Sequence, residues 1–183
     1  NTVPPVLNYD KAIAYLEPLF KKTGFDTRRL TIPAEYAEGR EGRVNLVCHR
    51  RENGKPRLIL YGHIDVVPAE GWDAFEPRVR NGKVYGRGAA DTKGSIVALL
   101  LAMESLKGKR LNFDVSLMLT TDEEYSQASQ LQYLRQYLEP VSGAYFLNLD
   151  SNFGFASIAN LGALQLDIKV TGKSVHSGLS HLG

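Results

Sequence analysis

Side chains that can bind a metal ion fall into four short segments of the chain, and three of these segments directly follow a predicted strand. The segments contain His63 and Asp65, then Asp91, then Glu123 and Glu124, and finally Asp150. Ligands gather beyond the carboxyl ends of strands in open α/β sheets, so we expect these positions to converge. One imidazole with several carboxylates is a ligand set that suits Zn²⁺ and can bridge two ions. A further free carboxylate beside the metal would supply a general base for a bound water.

Each segment also has a simpler structural interpretation when it is taken alone. His63 and Asp65 share a face of an extended chain, so they could form a buried hydrogen-bonded pair with a structural role. Asp91 could cap the helix that follows it. Glu123 and Glu124 should point in opposite directions and have different partners, or they could simply end an exposed strand, and the last acid could be a turn residue. The metal hypothesis therefore depends on all four segments meeting in space.

Apolar periodicity predicts the elements that must position these side chains. Helices are predicted over 9–23, 91–107 and 127–138, and strands over 44–49, 57–61, 112–121, 144–149, 153–158 and 163–171. The dipeptide Asn53-Gly54 predicts a hairpin between the first two of these strands, whereas 66–81 is predicted to be a loop. Strands that alternate with helices at this spacing indicate an α/β sheet covered on both faces.

Composition and charge exclude several classes of protein. The 183 residues include 22 Lys and Arg against 20 Asp and Glu, a formal net charge of +2, and no basic stripe that would indicate a nucleic-acid partner. The longest apolar run, 96–103, is far shorter than a membrane crossing. The lone cysteine, Cys48, excludes an internal disulfide framework and indicates a reducing compartment, so a cytoplasmic location is predicted.

Three ordered motifs of this sequence resemble those of a known family. They are Gly62-His63-Ile64-Asp65-Val66-Val67-Pro68, the glycine-rich stretch 86–94 that ends in Asp91-Thr92-Lys93-Gly94, and Thr121-Asp122-Glu123-Glu124. Together with Trp72 and 82–86, they resemble the zinc-dependent metallopeptidase family of aminoacylase, carboxypeptidase G, acetylornithine deacetylase and succinyl-diaminopimelate desuccinylase. The stretch 172–178 resembles the entry into the small lid domain of that family.

The resemblance implies an α/β fold with a mixed central sheet and helices on both faces, followed by the start of a small α+β lid domain. We accordingly predict a catalytic metal-binding domain over 1–161, incomplete at both ends, and a truncated lid or dimerisation domain over 162–183. The family's first helix and its last zinc ligand, a histidine, have no counterpart here. Tyr125-Ser126-Gln127 replace the family's usual glycines, and Asp rather than Glu at position 150 leans toward its dipeptidase and aminopeptidase members.

The resemblance also implies a role for each residue of the site. His63 and Asp150 would bind one zinc ion, Glu124 would bind the other, and Asp91 would bridge the two, with a cis peptide bond after it. Asp65 would orient His63, Glu123 would be the general base, and His176 would stabilise the oxyanion from the lid.

The predicted function is hydrolysis of the amide bond of an N-acyl amino acid or small peptide, with two zinc ions per full-length subunit and Co²⁺ or Mn²⁺ as possible substitutes. The expected partners are that small-molecule substrate and a second subunit of a homodimer. Two alternatives remain open: a non-catalytic relative that keeps the fold for binding or assembly, and an inactive fragment that binds a single metal ion.

Overall fold

The computed structural model describes residues 2–3, 8–125, 128–138 and 141–150, together with 169 and 171. The chain divides into two compact units, Asn1–Ser151 and Asn152–Gly183. Every element given below lies in the first unit. The strands predicted over 153–158 and 163–171, and the residue His176, lie outside the described residues, and the predicted domain boundary after residue 161 stays a prediction.

The described part of the chain forms a mixed five-stranded sheet, a two-stranded hairpin and three α-helices. The strands are β1 Asp26–Thr31, β2 Val44–Arg50, β3 Arg57–His63, β4 Arg78–Arg80, β5 Lys83–Tyr85, β6 Asp114–Thr120 and β7 Tyr145–Asn148. The helices are α1 Tyr9–Lys22, α2 Lys93–Ser105 and α3 Ala128–Arg135, and Ala34–Tyr36 forms a short 3-10 turn. The sheet order is β1-β2-β6-β3-β7, with β4 and β5 paired separately.

Alternate residues of the central strands face two different hydrophobic cores, as the period of two in a strand requires. Leu117 and Leu119 of β6 pack with apolar residues of α1 and α2. Met118, between them in sequence, packs in a second core with Leu134 of α3. Helices therefore cover both faces of a mixed sheet, which confirms the fold class predicted from the sequence. Among the described residues, no helix has the length and apolar character needed to cross a bilayer.

The hairpin predicted at Asn53-Gly54 is wrong, because β6 lies between β2 and β3. Strand β6 is antiparallel to β2 and parallel to β3, and its residues are buried almost throughout. A strand that is apolar on both faces is best covered at the centre of a sheet, which places β6 there. The connection itself is also unsuitable, since β2 ends at Arg50 and β3 begins at Arg57, whereas a two-residue turn needs strands on either side of it.

A tight hairpin is present in a segment whose larger part was predicted as a loop. Asn81 and Gly82 connect β4 to β5, and Arg80 pairs with Lys83 across the turn. Both turn residues have positive φ, 51° and 71°, as a type I′ turn requires. Strand β1 was also not predicted, because its sequence is mostly polar and it lies at the edge of the sheet.

Candidate metal centre

The carboxyl ends of three parallel strands bring the predicted residues to one edge of the sheet. β3 is parallel to both β6 and β7, so the last residue of β3, His63, lies beside the last residue of β6, Thr120. The pair Glu123 and Glu124 follows β6, and Asp150 follows β7. The topology therefore explains why segments so far apart in sequence meet at one site.

His63 is fully buried and has carboxylates at both of its ring nitrogens. Its Nδ1 lies 3.3 Å from Asp65 Oδ1, and its Nε2 lies 2.8 Å from Asp91 Oδ1 and 3.8 Å from Asp150 Oδ2. The second oxygen of Asp65 accepts a hydrogen bond from the backbone N–H of Glu124 at 3.0 Å. Asp65, which is also fully buried, therefore fixes the imidazole ring and the start of the next segment at once.

Two sets of possible metal ligands share this histidine. One set consists of His63, Asp91 and Glu124, and the other of His63, Glu123 and Asp150. Within each set, one ligand atom from every residue lies within 4.8 Å of the others. The predicted metal ligands thus come together at a single centre. The structure also brings in Glu123, which was predicted to act as a base without binding metal.

The electrostatics of this centre are those of a site built for a cation. Burial alone would lower the pKa of His63, but hydrogen bonds with Asp65 and Asp91, together with the charges of Asp65 and Glu123, raise it to about 9. Burial raises the pKa of Glu123 above its usual value, and the neighbouring carboxylates raise it further. Burial, followed by the charge of Asp91, likewise raises the pKa of Glu124. Carboxylates that repel one another around one imidazole form a donor set that fits Zn²⁺.

Asp91 lies at the entrance of α2, where its neighbour Thr92 contacts the backbone of β3, and it does not cap the helix. The helix is capped at Thr92, with no side-chain capping bond, and the peptide bond between Asp91 and Thr92 is cis, as the resemblance implied. The buried Thr92 hydroxyl donates to the backbone carbonyl of His63 at 2.8 Å and accepts from the backbone N–H of His63 at 3.3 Å. Thr92 therefore links the segment that carries His63 to the segment that carries Asp91.

Close packing requires glycine at the second residue of this helix. A Cβ on Gly94 would overlap the backbone carbonyl oxygen of Ala89, so a side chain there would push α2 away from the glycine-rich stretch. The sequence motif signalled these glycines, but it did not reveal that they serve the approach of a helix to the loop before it.

Lys93 is a cation beside the carboxylates that sequence reasoning did not single out. Its Nζ lies 3.1 Å from the Thr2 hydroxyl. Burial lowers the pKa of Lys93 to about 8, although the charges of Asp65, Asp91 and Glu124 oppose this shift. The signal in the sequence was its place in the Asp91-Thr92-Lys93-Gly94 motif, directly before the tightly packed glycine.

Known sequences resemble this chain over most of its length. The profile described as Peptidase family M20/M25/M40 matches residues 59–163. A probable succinyl-diaminopimelate desuccinylase of Staphylococcus epidermidis is 32% identical over 177 residues, which cover 92% of this chain and 41% of that protein. The succinyl-diaminopimelate desuccinylase of Wolbachia pipientis is 35% identical over 135 residues, covering 68% of this chain and 32% of the relative. The chain thus spans less than half the length of these relatives.

Solved structures resemble the fold. Human carnosine dipeptidase 1 superposes with a TM-score of 0.68 at 21% identity, over 77% of this chain and 32% of that one. An M20 family metallo-carboxypeptidase of Sulfolobus solfataricus gives a TM-score of 0.63 at 24% identity, over 78% of this chain and 32% of that one. Because the family profile matches more than half of the chain, and because the residues that converge on His63 lie within that match, this chain belongs to peptidase family M20/M25/M40.

Proposed function

We propose that this chain carries the metal centre of a two-zinc hydrolase that cleaves the amide bond of an N-acyl amino acid or small peptide. One observation carries the proposal: the buried His63 is shared by two carboxylate sets at the carboxyl edge of the sheet. Family membership and the names of the relatives, desuccinylases in sequence and di- or carboxypeptidases in fold, agree with this class of substrate.

His63 and Asp150 would hold one ion, Glu124 would hold a second, and Asp91 would lie between them. Zinc bound there would polarise the amide carbonyl and make water a stronger nucleophile at neutral pH. Co²⁺ or Mn²⁺ would suit the same donors, since imidazole and carboxylate ligands accept several divalent metals. The positive charge of the bound ions would offset the repulsion among the carboxylates.

The remaining residues have roles in positioning and proton transfer. Asp65 holds His63 in one ring orientation through Nδ1, which leaves Nε2 for the metal. Glu123 takes the proton of the attacking water on a carboxylate oxygen and returns it to the leaving nitrogen. Its raised pKa suits this exchange, because a base works best when its pKa approaches the working pH.

Three further predictions from the sequence belong to this proposal. His176 would stabilise the developing oxyanion from the lid domain. The complete protein would be a homodimer, and it would act in the cytoplasm. These features rest on the resemblance of 172–178 and on the sequence composition, and none of the described residues bears on them.

A substrate panel tests the proposal. The complete gene product, reconstituted with Zn²⁺, is offered N-succinyl, N-acetyl and other N-acyl amino acids alongside dipeptides, and release of the free amine is measured. We expect hydrolysis that disappears after chelation and returns with zinc. Asp91→Ala should lose both zinc and hydrolysis. A protein that binds zinc but hydrolyses no member of the panel would instead support a non-catalytic relative.

A further inference from the structure

A buried polar network lies directly before the two glutamates of the metal centre, and nothing in the proposed mechanism uses it. At its centre is Asp122, whose side chain is fully buried. Its Oδ2 accepts a hydrogen bond from Arg43 Nε at 2.6 Å and one from Gln130 Nε2 at 3.2 Å. Arg40 Nε lies 3.0 Å from the same oxygen, and the Tyr9 hydroxyl donates to Oδ1 at 3.4 Å.

The sheet topology explains how these distant residues meet. Because β2 is antiparallel to β6, the beginning of β2 lies beside the end of β6. Arg43 directly precedes β2, and Asp122 follows β6 by two residues. Asn45 of β2 adds a second connection, since its Oδ1 accepts from the backbone N–H of Thr121 at 2.8 Å and its Nδ2 donates to Gln130 Oε1 at 3.4 Å.

The backbone at Asp122 is in a conformation that residues other than glycine rarely adopt. Its φ is +70°, in the left-handed region, and its carbonyl accepts from Tyr125 N–H at 3.3 Å to close the turn that contains both glutamates. A buried carboxylate is costly unless it is paired and hydrogen-bonded, and of the two arginines that face Asp122, Arg43 is the buried one and the closer one, at 2.6 Å against 3.0 Å for Arg40. The position of the turn is therefore coupled to the ion pair.

Buried ion pairs contribute little net stability, because desolvating both charges offsets their attraction. Consequently, a role in positioning nearby residues explains this network better than a role in stabilising the fold. We propose that Arg43 and Asp122 are positioning residues, which hold the turn after β6 so that Glu123 and Glu124 meet His63 at the end of β3 and Asp150 after β7. The proposal rests on the metal centre of the proposed function.

The chain offers a matched control in a second buried arginine. Arg50 ends β2, at the opposite end of the strand, where it pairs with Val115 near the start of β6. It donates to the backbone carbonyls of Thr23, Leu106 and Lys109. Replacing Arg43 or Arg50 disrupts a buried polar network at one end of β2. Of these two arginines, Arg43 is the one that contacts the turn with the glutamates.

The experiment compares zinc affinity between the complete wild-type gene product and its variants Arg43→Gln, Arg43→Lys, Asp122→Asn and Arg50→Gln. Affinity is measured by competition with a chromogenic chelator at fixed pH, and circular dichroism melts verify that each variant is folded. Loss of a residue that orients a ligand typically weakens metal binding about 10- to 100-fold, and we expect this of Arg43→Gln and Asp122→Asn. Arg50→Gln should change the affinity by less than about twofold, even where it lowers the melting temperature as much.

Arg43→Lys should weaken zinc binding less than Arg43→Gln, since lysine keeps the charge but not the planar fork. It also carries the test if Arg43→Gln does not fold. Unchanged affinity in the Arg43 and Asp122 variants, or an equal loss in Arg50→Gln, would overturn the proposal. A complete wild-type protein that binds no zinc would overturn the proposed function, and the positioning role with it, so the two failures are distinguishable.

Discussion

Asp65 is the residue that ties the two halves of the metal centre together. One of its oxygens faces His63 Nδ1, and the other accepts from the backbone N–H of Glu124. A carboxylate with both oxygens engaged has little freedom to rotate, so the ring and the following turn are held in one relative position. The simple interpretation of His63 and Asp65 as a buried pair is therefore correct in geometry, but it omits the link to Glu124 in the turn after β6.

Glu123 and Glu124 can be separated by experiment, although they are adjacent in sequence. Glu123→Gln in the complete gene product should keep zinc bound while the rate of amide hydrolysis falls by about 10²- to 10⁴-fold, because an amide cannot accept a proton from water. The measurements are zinc content after gel filtration and kcat on the best substrate of the panel. Glu124→Gln, the matched variant, should lose zinc as well.

Glu123 also lies close enough to His63 and Asp150 to bind a metal ion together with them, so Glu123→Gln could lose zinc. If Glu123→Gln loses zinc as readily as Glu124→Gln, then Glu123 is a metal ligand and not the general base. If it keeps both zinc and turnover, neither role is correct.

Among the elements, α1 and β1 are joined by one glutamate that receives three hydrogen-bonding partners. Lys21 Nζ lies 2.9 Å from Glu17 Oε1, the Thr27 hydroxyl donates to the same oxygen at 2.8 Å, and Arg29 Nε donates to Oε2 at 2.6 Å. These contacts lower the pKa of Glu17 from 4.5 to about 2. The contacts with Thr27 and Arg29 connect the first helix to an edge strand that has few apolar residues of its own.

The lowered pKa predicts a pH-dependent contribution to stability. Since the folded state holds the carboxylate ionised more strongly than the unfolded state, this contribution is complete above about pH 4.5 and is lost as the pH falls through about 2. Glu17→Gln should lower the free energy of unfolding at pH 7 by about 1 kcal/mol, because the exposed Lys21 and Arg29 are screened by water. The measurement is urea unfolding at several pH values.

The difference from wild type should shrink steadily between pH 4.5 and 2. Glu104→Gln, at an exposed position of α2, serves as the control and should leave unfolding nearly unchanged at every pH. A difference between Glu17→Gln and wild type that stays constant down to pH 2 would show that packing, and not charge, accounts for the loss.

Sequence patterns predicted most of these elements but not all of their neighbours. Apolar residues located β2, β3 and β6, because these strands are largely buried, and they also located β7, although β7 is exposed at the edge of the sheet. The pairing was not encoded locally: Asn53-Gly54 suggested that β2 and β3 are adjacent, whereas β6 separates them. The same kind of turn signal at Asn81-Gly82 did mark a hairpin, because short strands flank it directly.

In the molecule as a whole, local sequence patterns do not reveal which strands are neighbours, and this explains which residues of the candidate site could be predicted. His63, Asp91, Glu124 and Asp150 could be found because each one is a metal-capable side chain at the end of an apolar segment or the start of a helix. Arg43 could not, since its role depends on the antiparallel pairing of β2 with β6, and no nearby motif signals a buried ion pair. The ligands are thus local features of the chain, whereas the residues that position them follow from the topology.

The concentration of acids at the carboxyl end of the parallel strands predicts that the stability of the described unit depends on metal. Without a cation, the carboxylates around His63 repel one another and are kept out of water at some cost, as the raised pKa values of Glu123 and Glu124 indicate. Zinc that binds only the folded chain should therefore raise the free energy of unfolding by about 2.7 kcal/mol at a 100-fold excess over Kd, and the melting temperature should rise with zinc concentration. EDTA should reverse the shift.

His63→Ala should remove most of this stabilisation, because His63 belongs to both groups of possible ligands found among the described residues. His49→Ala is the matched control: His49 is a half-buried histidine of β2 that contacts Ser116 at 3.0 Å, near the other end of the sheet, and the shift caused by zinc should persist in that variant. Calorimetric melts of the three proteins, with zinc and with Mg²⁺ at equal ionic strength, separate specific binding from screening. An equal shift in His63→Ala, or an equal shift with Mg²⁺, would mean that the cation acts on the general negative field of the edge and that His63 is not the shared ligand.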